Sequence, residues 1–497
     1  MGSIFGHASV VIVAASGEDA EAGLAGITQS RKPGQIARGV RPNVNVLFPV
    51  EYDKSCGKWD TRAWTLQEKL LSKRMLVFDS NHVSFHCRHG VLREDMPAEH
   101  AGNGPPPMAR LSKPPNSGEP RVTESWDGKP VLLRSPFFEA YAKLLEQYTS
   151  RDRSKSNDIL NAILGLLKVL EDMRSVGNTN PSPSGVQVQP PVRTLYGLPE
   201  EFLDLALLWQ PPAVMGTSLT KRLSDQLPSW SWTGWEVGKD PSHSQDIENK
   251  YKARPGVRFE EPFWVSGNDD LALKKFVAIG EDAEERFRPL IIWYKFLNAP
   301  NSPNSPSSAL VPVNGSGLGI VSGSKDVDER FIRKIVQFRT GLNALEDPGA
   351  LSLPSGVPLD NRHLVCETQT ASFRLRQKDK SPRKESLWNR FGGRLEEKVL
   401  DIVEAEVLDE ADKVVGYVIP TDQRKTISSD TYDFILLSES QYWGNEKRID
   451  IIGFPLYNVM VVEWDNRKEF ATRLGLGKIS KLGWLAAQQG KRLVILK

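Results

Sequence analysis

Thr61–Glu94 reads TRAWTLQEKLLSKRMLVFDSNHVSFHCRHGVLRE, and the change of periodicity within it decides the fold class. Over Thr61–Ser72, Ala63, Leu66 and Leu70 recur at helical spacing and Trp64 and Leu71 form a second apolar line. Asp60 stands where a cap would accept from the first turn. At Met75–Phe78 and His82–Arg88 the pattern becomes that of strands, with Val83, Phe85 and Cys87 alternating with polar residues. Upstream, residues 1–16 read as the end of a helix feeding an apolar strand, Ser9–Ala15, of the kind buried inside a parallel sheet. Gly17, Gly23 and Gly26 then open a loop. The amino end is therefore expected to be an α/β layer reaching about residue 97.

The sequence has 497 residues, too many for one ordinary hydrophobic core, so several domains are expected. Residues 98–135 read as a Pro-rich linker, with six prolines between 101 and 120. A helical region is expected over 136–229, carried by Phe137–Tyr148, by Asp158–Met173 with apolar residues at helical spacing, and by Glu200–Trp209; 177–191 reads as a polar stretch between them. From 230 to 497 the pattern turns to short strands such as Leu290–Tyr294, Ile402–Leu408, Phe434–Ser438 and Val459–Trp464. Residues 298–325 read as a disordered low-complexity insertion and 347–361 as a long loop.

Composition narrows the function classes. Sixty-four Lys and Arg against 62 Asp and Glu leave a formal charge of +2, without the concentrated basic surface that nucleic acid requires. The one compact basic run, Arg374, Arg376, Lys378, Lys380, Arg383 and Lys384, reads as an import patch or a solvated loop. Cys56, Cys87 and Cys366 are too few and too scattered for a disulfide framework or a four-ligand zinc site, which fits a reducing, cytoplasmic setting. Ala8–Ala15 is too short, and lacks the preceding cation, to be a signal peptide, and no apolar run approaches a membrane span. Neither a resident cofactor nor a metal follows from these residues.

The opening segment resembles the last conserved block of the fungal heterokaryon-incompatibility (HET) domain: Arg, any, Trp, two positions, Gln-Glu, then Leu-Ser, Arg, and a strand ending in Cys. The matching positions are Arg62, Trp64, Gln67, Glu68, Leu71, Ser72, Arg74 and Cys87, with Glu94 following. MGSIFGHASVVIVAASGEDAEAGLAG resembles the middle block of that family. YTSRDRSKSNDILNAILGLL, LYGLPEEFLDLALLW, LPSWSWTGW and MVVEWDNRKEFATRLGLGKI resemble segments that follow it. The resemblance implies that residues 1–97 are the carboxyl-terminal part of a HET domain, a partial TIR-like or flavodoxin-like layer whose first half is missing. It also implies an allorecognition or innate-immunity-like role, a death or growth-arrest response on assembly, and as partners other incompatibility-system proteins or further copies of the chain. An inactive remnant is the alternative.

Glu68 is the candidate catalytic residue. It lies four positions after Trp64, so its carboxylate follows an apolar line, where burial raises a carboxyl pKa. The similarity of HET to TIR domains implies cleavage of the nicotinamide bond of NAD, a reaction whose oxocarbenium-like state a carboxylate stabilises. A pairing of Glu68 with Arg62, Arg74 or a backbone group is the alternative. His82 and His86 share one strand face while Cys87 and His89 take the other, so these four do not converge on a metal without a bend; Cys87 reads as a small core residue and the histidines as exposed or strand-end groups. Trp230 and Trp232, on one strand face near Trp235, read as core or as a stacking surface. Gly315, Gly317 and Gly319 lack the strand and helix of a dinucleotide fingerprint.

Overall fold

The helix and strands expected around Trp64 are present, inside a layer whose two faces are unequal. The computed structural model describes residues 2–17, 19, 21–28, 30–31, 35–49, 58–87, 89–95, 122–124, 130–133, 136–153, 158–177, 194–211, 218–239, 256–257, 259, 263–266, 273–276, 284–297, 309–313, 353, 359–377, 383–387, 396–400, 404–423, 430–443 and 456–497. Contacts divide the chain into two units. One comprises Met1–Ser117, Lys143–Asn178 and Ser242–Gly256, the other Gly118–Ala142, Thr179–Pro241 and Val257–Lys497.

In the first unit the described elements are α1 (Gly2–His7), β1 (Val11–Ala14), β2 (Gln35–Arg41), β3 (Val44–Pro49), α2 (Lys58–Thr61), α3 (Ala63–Leu71), β4 (Arg74–Phe78), β5 (Val83–Cys87) and β6 (Gly90–Arg93). Helices α4 (Pro136–Thr149), from Lys143 onward, and α5 (Asn161–Gly177) complete it. The sheet runs β1-β4-β5-β6, with β1 parallel to β4 and the rest antiparallel. Trp59 on α2 packs with Val13 and Met75, and with Val11, Ala15 and Val77, on one face. In register, Met75 stands opposite His86 and Val77 opposite Ser84, so β5 turns its polar residues towards that covered face. The apolar Val83 and Phe85 therefore point to the other side. Strand β1 is an edge strand and not a buried inner one: Val13 is 1% exposed but Ile12 is 61% exposed, because the sheet is covered there on one face only.

The sequence reading passed over β2 and β3. They form a two-stranded antiparallel hairpin, turned by Pro42 and by Asn43 at φ 65°, a left-handed position that asparagine tolerates.

The second unit centres on six strands: Leu364–Gln377, Ala405–Leu408, Val414–Pro420, Ala471–Ser480, Leu456–Trp464 and Thr431–Trp443. Each pairs antiparallel with the next, and Thr431–Trp443 pairs back to Leu364–Gln377, so the ring closes into a barrel and these strands leave no unpaired inner edge. Phe373, Val407, Val418, Phe434, Val459 and Ile479 fill it, and Trp484 of the short helix Lys481–Ala486 packs edge-on to Tyr457 and beside Phe373. Gly477 lies where a side chain would run into the Tyr417 carbonyl, so two strands approach closely there. The carboxyl region is thus β-rich, and the chain as a whole combines helices with many strands.

Several local expectations change. Glu200–Trp209 is a 3₁₀ turn, Glu200–Phe202, and one helical turn, Leu203–Ala206; Glu200 and every residue from Phe202 to Trp209 are buried, on all sides and not along the one stripe of a surface helix. The strand expected at Leu290–Tyr294 begins at Tyr294, and Tyr294–Leu297 pairs with Ala309–Pro312 inside the stretch read as disordered. Val313, 1% exposed, anchors that strand. Within 98–135, Val122–Glu124 and Pro130–Leu133 pair as strands, the latter also with Glu284–Pro289. Arg374 and Arg376 lie on a barrel strand, paired with Asp412 and Glu406, and Arg383 and Lys384 lie on another strand, so these four are not loop residues. Residues 101–120 and 178–191, Cys56, Lys378, Lys380, the glycines at 315, 317 and 319, and most of 298–325 and 347–361 lie outside the described residues. Among the described residues no helix is long and apolar enough to cross a membrane.

Candidate functional site

Helix α3 carries most of the candidate residues, and its start is built without a side-chain cap. Asp60, expected to cap it, instead takes Lys69 at 2.7 Å and Arg151 at 3.1 Å. The N-cap position is Arg62, and the orphan Ala63 N–H donates to the Asp152 carbonyl at 2.8 Å. Thr65 Oγ1 donates back to the carbonyls of Trp59 and Arg62, tying α2 to α3. At the other end Ser72, fully buried, donates from Oγ to the Glu68 carbonyl at 2.6 Å.

Ala63, Leu66 and Leu70 are buried as their spacing requires, and Gln67 is buried with them at 2% exposure. Its Nε2 donates to the Ala162 carbonyl at 2.6 Å, joining α3 to the first turn of α5. Gly165 lets α5 come this close. A methyl group there would overlap the Gln67 amide oxygen and lie 3.3 Å from the Gly2 backbone.

Glu68 is half-buried, and Trp59 Nε1 donates to its Oε2 at 2.9 Å. Its partner is therefore an indole and not Arg62 or Arg74. Lys69 sits 5.9 Å from the centre of the same indole. Arg62 and Arg74 are exposed, and among the described residues their guanidinium groups have no ion-pair partner. Trp64, Leu71 and Cys87 are half-buried.

The three histidines differ in burial. His82 is 4% exposed, and burial, then Arg93, holds its pKa below the ordinary value. His86 is half-buried, its Nε2 2.8 Å from Ser84 Oγ. Burial, helped by Lys69 and His82 and opposed by Asp60, brings it down to about 4, so it is neutral near pH 7. The cause is the register already described: polar β5 positions face Trp59, which leaves Cys87 on the less covered side. His89 is exposed. Among the described residues no three His, Cys, Asp or Glu side chains are placed to hold a metal.

In the second unit the three candidate tryptophans are core. Trp230, Trp232 and Trp235 are at most 5% exposed, and Trp232 lies in a 3₁₀ turn, so it does not share a strand face with Trp230. Their indoles donate to Arg362 O, Tyr141 Oη and Ser229 O, and that of Trp209 to Trp230 O. The sequence reading missed Arg473. It is wholly buried 4.0 Å from the Trp209 ring centre, donating to the carbonyls of Leu207 and Trp209 and to Thr421 Oγ1. Its backbone N–H also donates to Ser229 Oγ at 3.1 Å, so Arg473 joins LDLALLW, LPSWSWTGW and ATRLGLGKI. The available signal was an arginine at the start of a glycine-rich strand whose next five residues, Leu474–Lys478, hold one other charge. The buried Lys295–Glu200 pair was also missed. No family model, curated protein or solved structure matches the chain.

Proposed function

We propose that this chain acts in fungal heterokaryon incompatibility, as an allorecognition or innate-immunity-like protein. In this reading residues 1–97, the carboxyl-terminal part of a HET domain with a TIR-like or flavodoxin-like layer, drive growth arrest or cell death through contacts with other incompatibility-system proteins or with further copies of the chain. The supporting observation is how the Arg62–Cys87 motif spends its polar groups. Gln67 and Ser72 bond backbone carbonyls and Glu68 accepts from Trp59, so the motif stiffens a helical platform. Arg62 and Arg74 stay on the surface, where a partner meets them. The parallel pairing of β1 and β4 across the α2–α3 connection is compatible with such a layer.

One observation favours a second reading, a TIR-like NAD glycohydrolase. Glu68 engages Trp59 through one oxygen and leaves the other without a hydrogen bond among the described residues, as a carboxylate facing an oxocarbenium-like state would. Inducible expression in a filamentous fungus, scored for viability and cellular NAD, separates the two. Arrest with NAD intact supports signalling. Arrest with NAD depleted, both abolished by Glu68→Gln, supports the hydrolase. Normal growth at high expression overturns both.

A further inference from the structure

The first unit carries two apolar surfaces that the described residues leave partly exposed, the first of them closed only at Phe78, which is 7% exposed. On the sheet face away from Trp59, the register aligns Ile12 with Leu76, Leu76 with Phe85, and Phe85 with Leu92, one apolar row across all four strands. Ile12 is 61% and Leu92 47% exposed, with Leu76 and Phe85 half-buried between them. The second surface is the β2–β3 hairpin. Every residue from Ile36 to Leu47 is exposed, and Ile36, Val44 and Val46 share one side of it with Arg38, whose long side chain stands opposite Val46.

We propose that two copies of this chain form a dimer by exchanging hairpins, the β2–β3 hairpin of each covering the Ile12–Leu76–Phe85–Leu92 face of the other. Three arguments commit the face to a second copy. First, an isolated two-stranded hairpin is at best marginally stable in water, so this one requires a surface to pack against, and it finds none among the described residues of its own chain. Second, the aligned row and its neighbours Ala14, Phe78, Val83 and Cys87 are uncharged, and the charges at their margins are Arg74 on β4 and, beside Val83, Glu94, which is already paired with Arg31. A strongly charged partner gains nothing there, whereas an apolar hairpin does. Third, the areas match a reciprocal arrangement. At about 4.8 Å between strands and about 3.4 Å per residue, the sheet face spans roughly 300 Å² and the hairpin roughly 200 Å² in projection. Neither reaches the roughly 800 Å² of accessible surface per partner of a standard interface, while the two together on a corrugated surface approach it. Exchange also closes a two-fold, so no further copy is recruited. The proposal stands on this geometry and holds whether or not the chain signals cell death.

The experiment is sedimentation velocity and light scattering of the full chain from about 1 to 100 µM. A dimer is expected. Val44→Lys with Val46→Lys on the hairpin, and separately Ile12→Lys with Leu92→Lys on the sheet, should each give a monomer, weakening association by about a hundredfold or more, since each buries charge against apolar surface. Both pairs are exposed in the chain, so the melting temperature should hold; serine versions repeat the test if either lysine variant melts early. Mixing the two variants decides the geometry. Exchange leaves one intact hairpin-on-sheet contact per mixed pair, so a weaker heterodimer must reappear. A wild-type monomer throughout, a dimer that survives either variant, a mixture that stays monomeric, or a monomer that instead floats with phosphatidylcholine vesicles overturns the proposal.

Discussion

Gly165→Ala should destabilise the first unit, although alanine is the better helix former. Gly165 lies within α5, where alanine in place of glycine favours the helix by about 1 kcal/mol. Against this, the new methyl group falls on the Gln67 amide oxygen, with Gln67 Cδ at 3.3 Å. A flexible side chain could swing clear, but Gln67 is anchored to Ala162 O at 2.6 Å, so moving it breaks that bond, worth about 0.5–1.5 kcal/mol. Overpacking of this kind costs about 1–3 kcal/mol, so a net loss of about 1–2 kcal/mol is expected. In a Gln67→Ala background the obstructing atom is gone, and the same substitution should become neutral or stabilise by up to about 1 kcal/mol. The coupling between the two sites is then about 2 kcal/mol, a factor of about 30 in an equilibrium constant. Because a chain of two units need not unfold in one step, the readout is hydrogen exchange of the α3 and α5 amides in the full-length protein. Gly165→Ala raising protection equally in both backgrounds would refute the reasoning, since Gln67 would then not occupy that space.

Acid should weaken the first unit as pH falls below about 6.5. His86, with a folded pKa brought down to about 4 from an ordinary 6.5, contributes stability that is complete above pH 6.5 and is lost as pH falls towards 4. His82 shifts in the same direction, so exchange of α3 amides should rise over this window and a His86→Gln variant should flatten the rise. In the second unit, Arg473→Met removes donors from the buried carbonyls of Leu207 and Trp209 and should cost about 3 kcal/mol, read as a fall in melting temperature. Arg473→Lys should recover only part of it, because an ammonium cannot reproduce the planar fork. Glu68→Gln keeps an acceptor for Trp59 and should shift stability by about 1 kcal/mol or less, whatever it does to activity.

How much of this was legible in the sequence depends on whether a residue's role is set locally. The α3 stripe was readable because Ala63, Leu66 and Leu70 need only helical spacing to share a face. The face of β5 was misread for a reason that alternation cannot reveal. Period two says that Val83 and Phe85 lie together, yet it does not say which side of the sheet is covered, and Trp59 lies on the side of Ser84 and His86. The Pro42–Asn43 turn was a local signal and was overlooked, since its flanking strands alternate weakly and their residues from Ile36 to Leu47 are exposed. Barrel closure was out of reach. It rests on Leu364–Gln377 meeting Thr431–Trp443, a pairing set by packing of residues such as Phe373 against Phe434 across some sixty positions of sequence, not by either strand's own pattern.

The same distinction separates the two candidate roles of the motif. A residue needed for chemistry must keep reactive atoms free, while one needed for architecture uses them up, and sequence lists both alike. Gln67, Thr65 and Ser72 are used up, each by a backbone carbonyl that fixes where α3 sits. Glu68 is used by half: one oxygen holds Trp59, whose ring in turn packs with Val13 and Met75 on the sheet. Removing that carboxylate therefore reaches the sheet through Trp59. A loss of function in Glu68→Ala is consequently ambiguous, whereas in Glu68→Gln, where the indole still has an acceptor, it reports on the charge. Trp59→Phe supplies the complementary control, because it keeps the ring on the sheet and the carboxylate on the helix while deleting the bond between them. If signalling depends on the platform, Trp59→Phe should impair it at least as much as Glu68→Gln; if it depends on the carboxylate, the order should reverse.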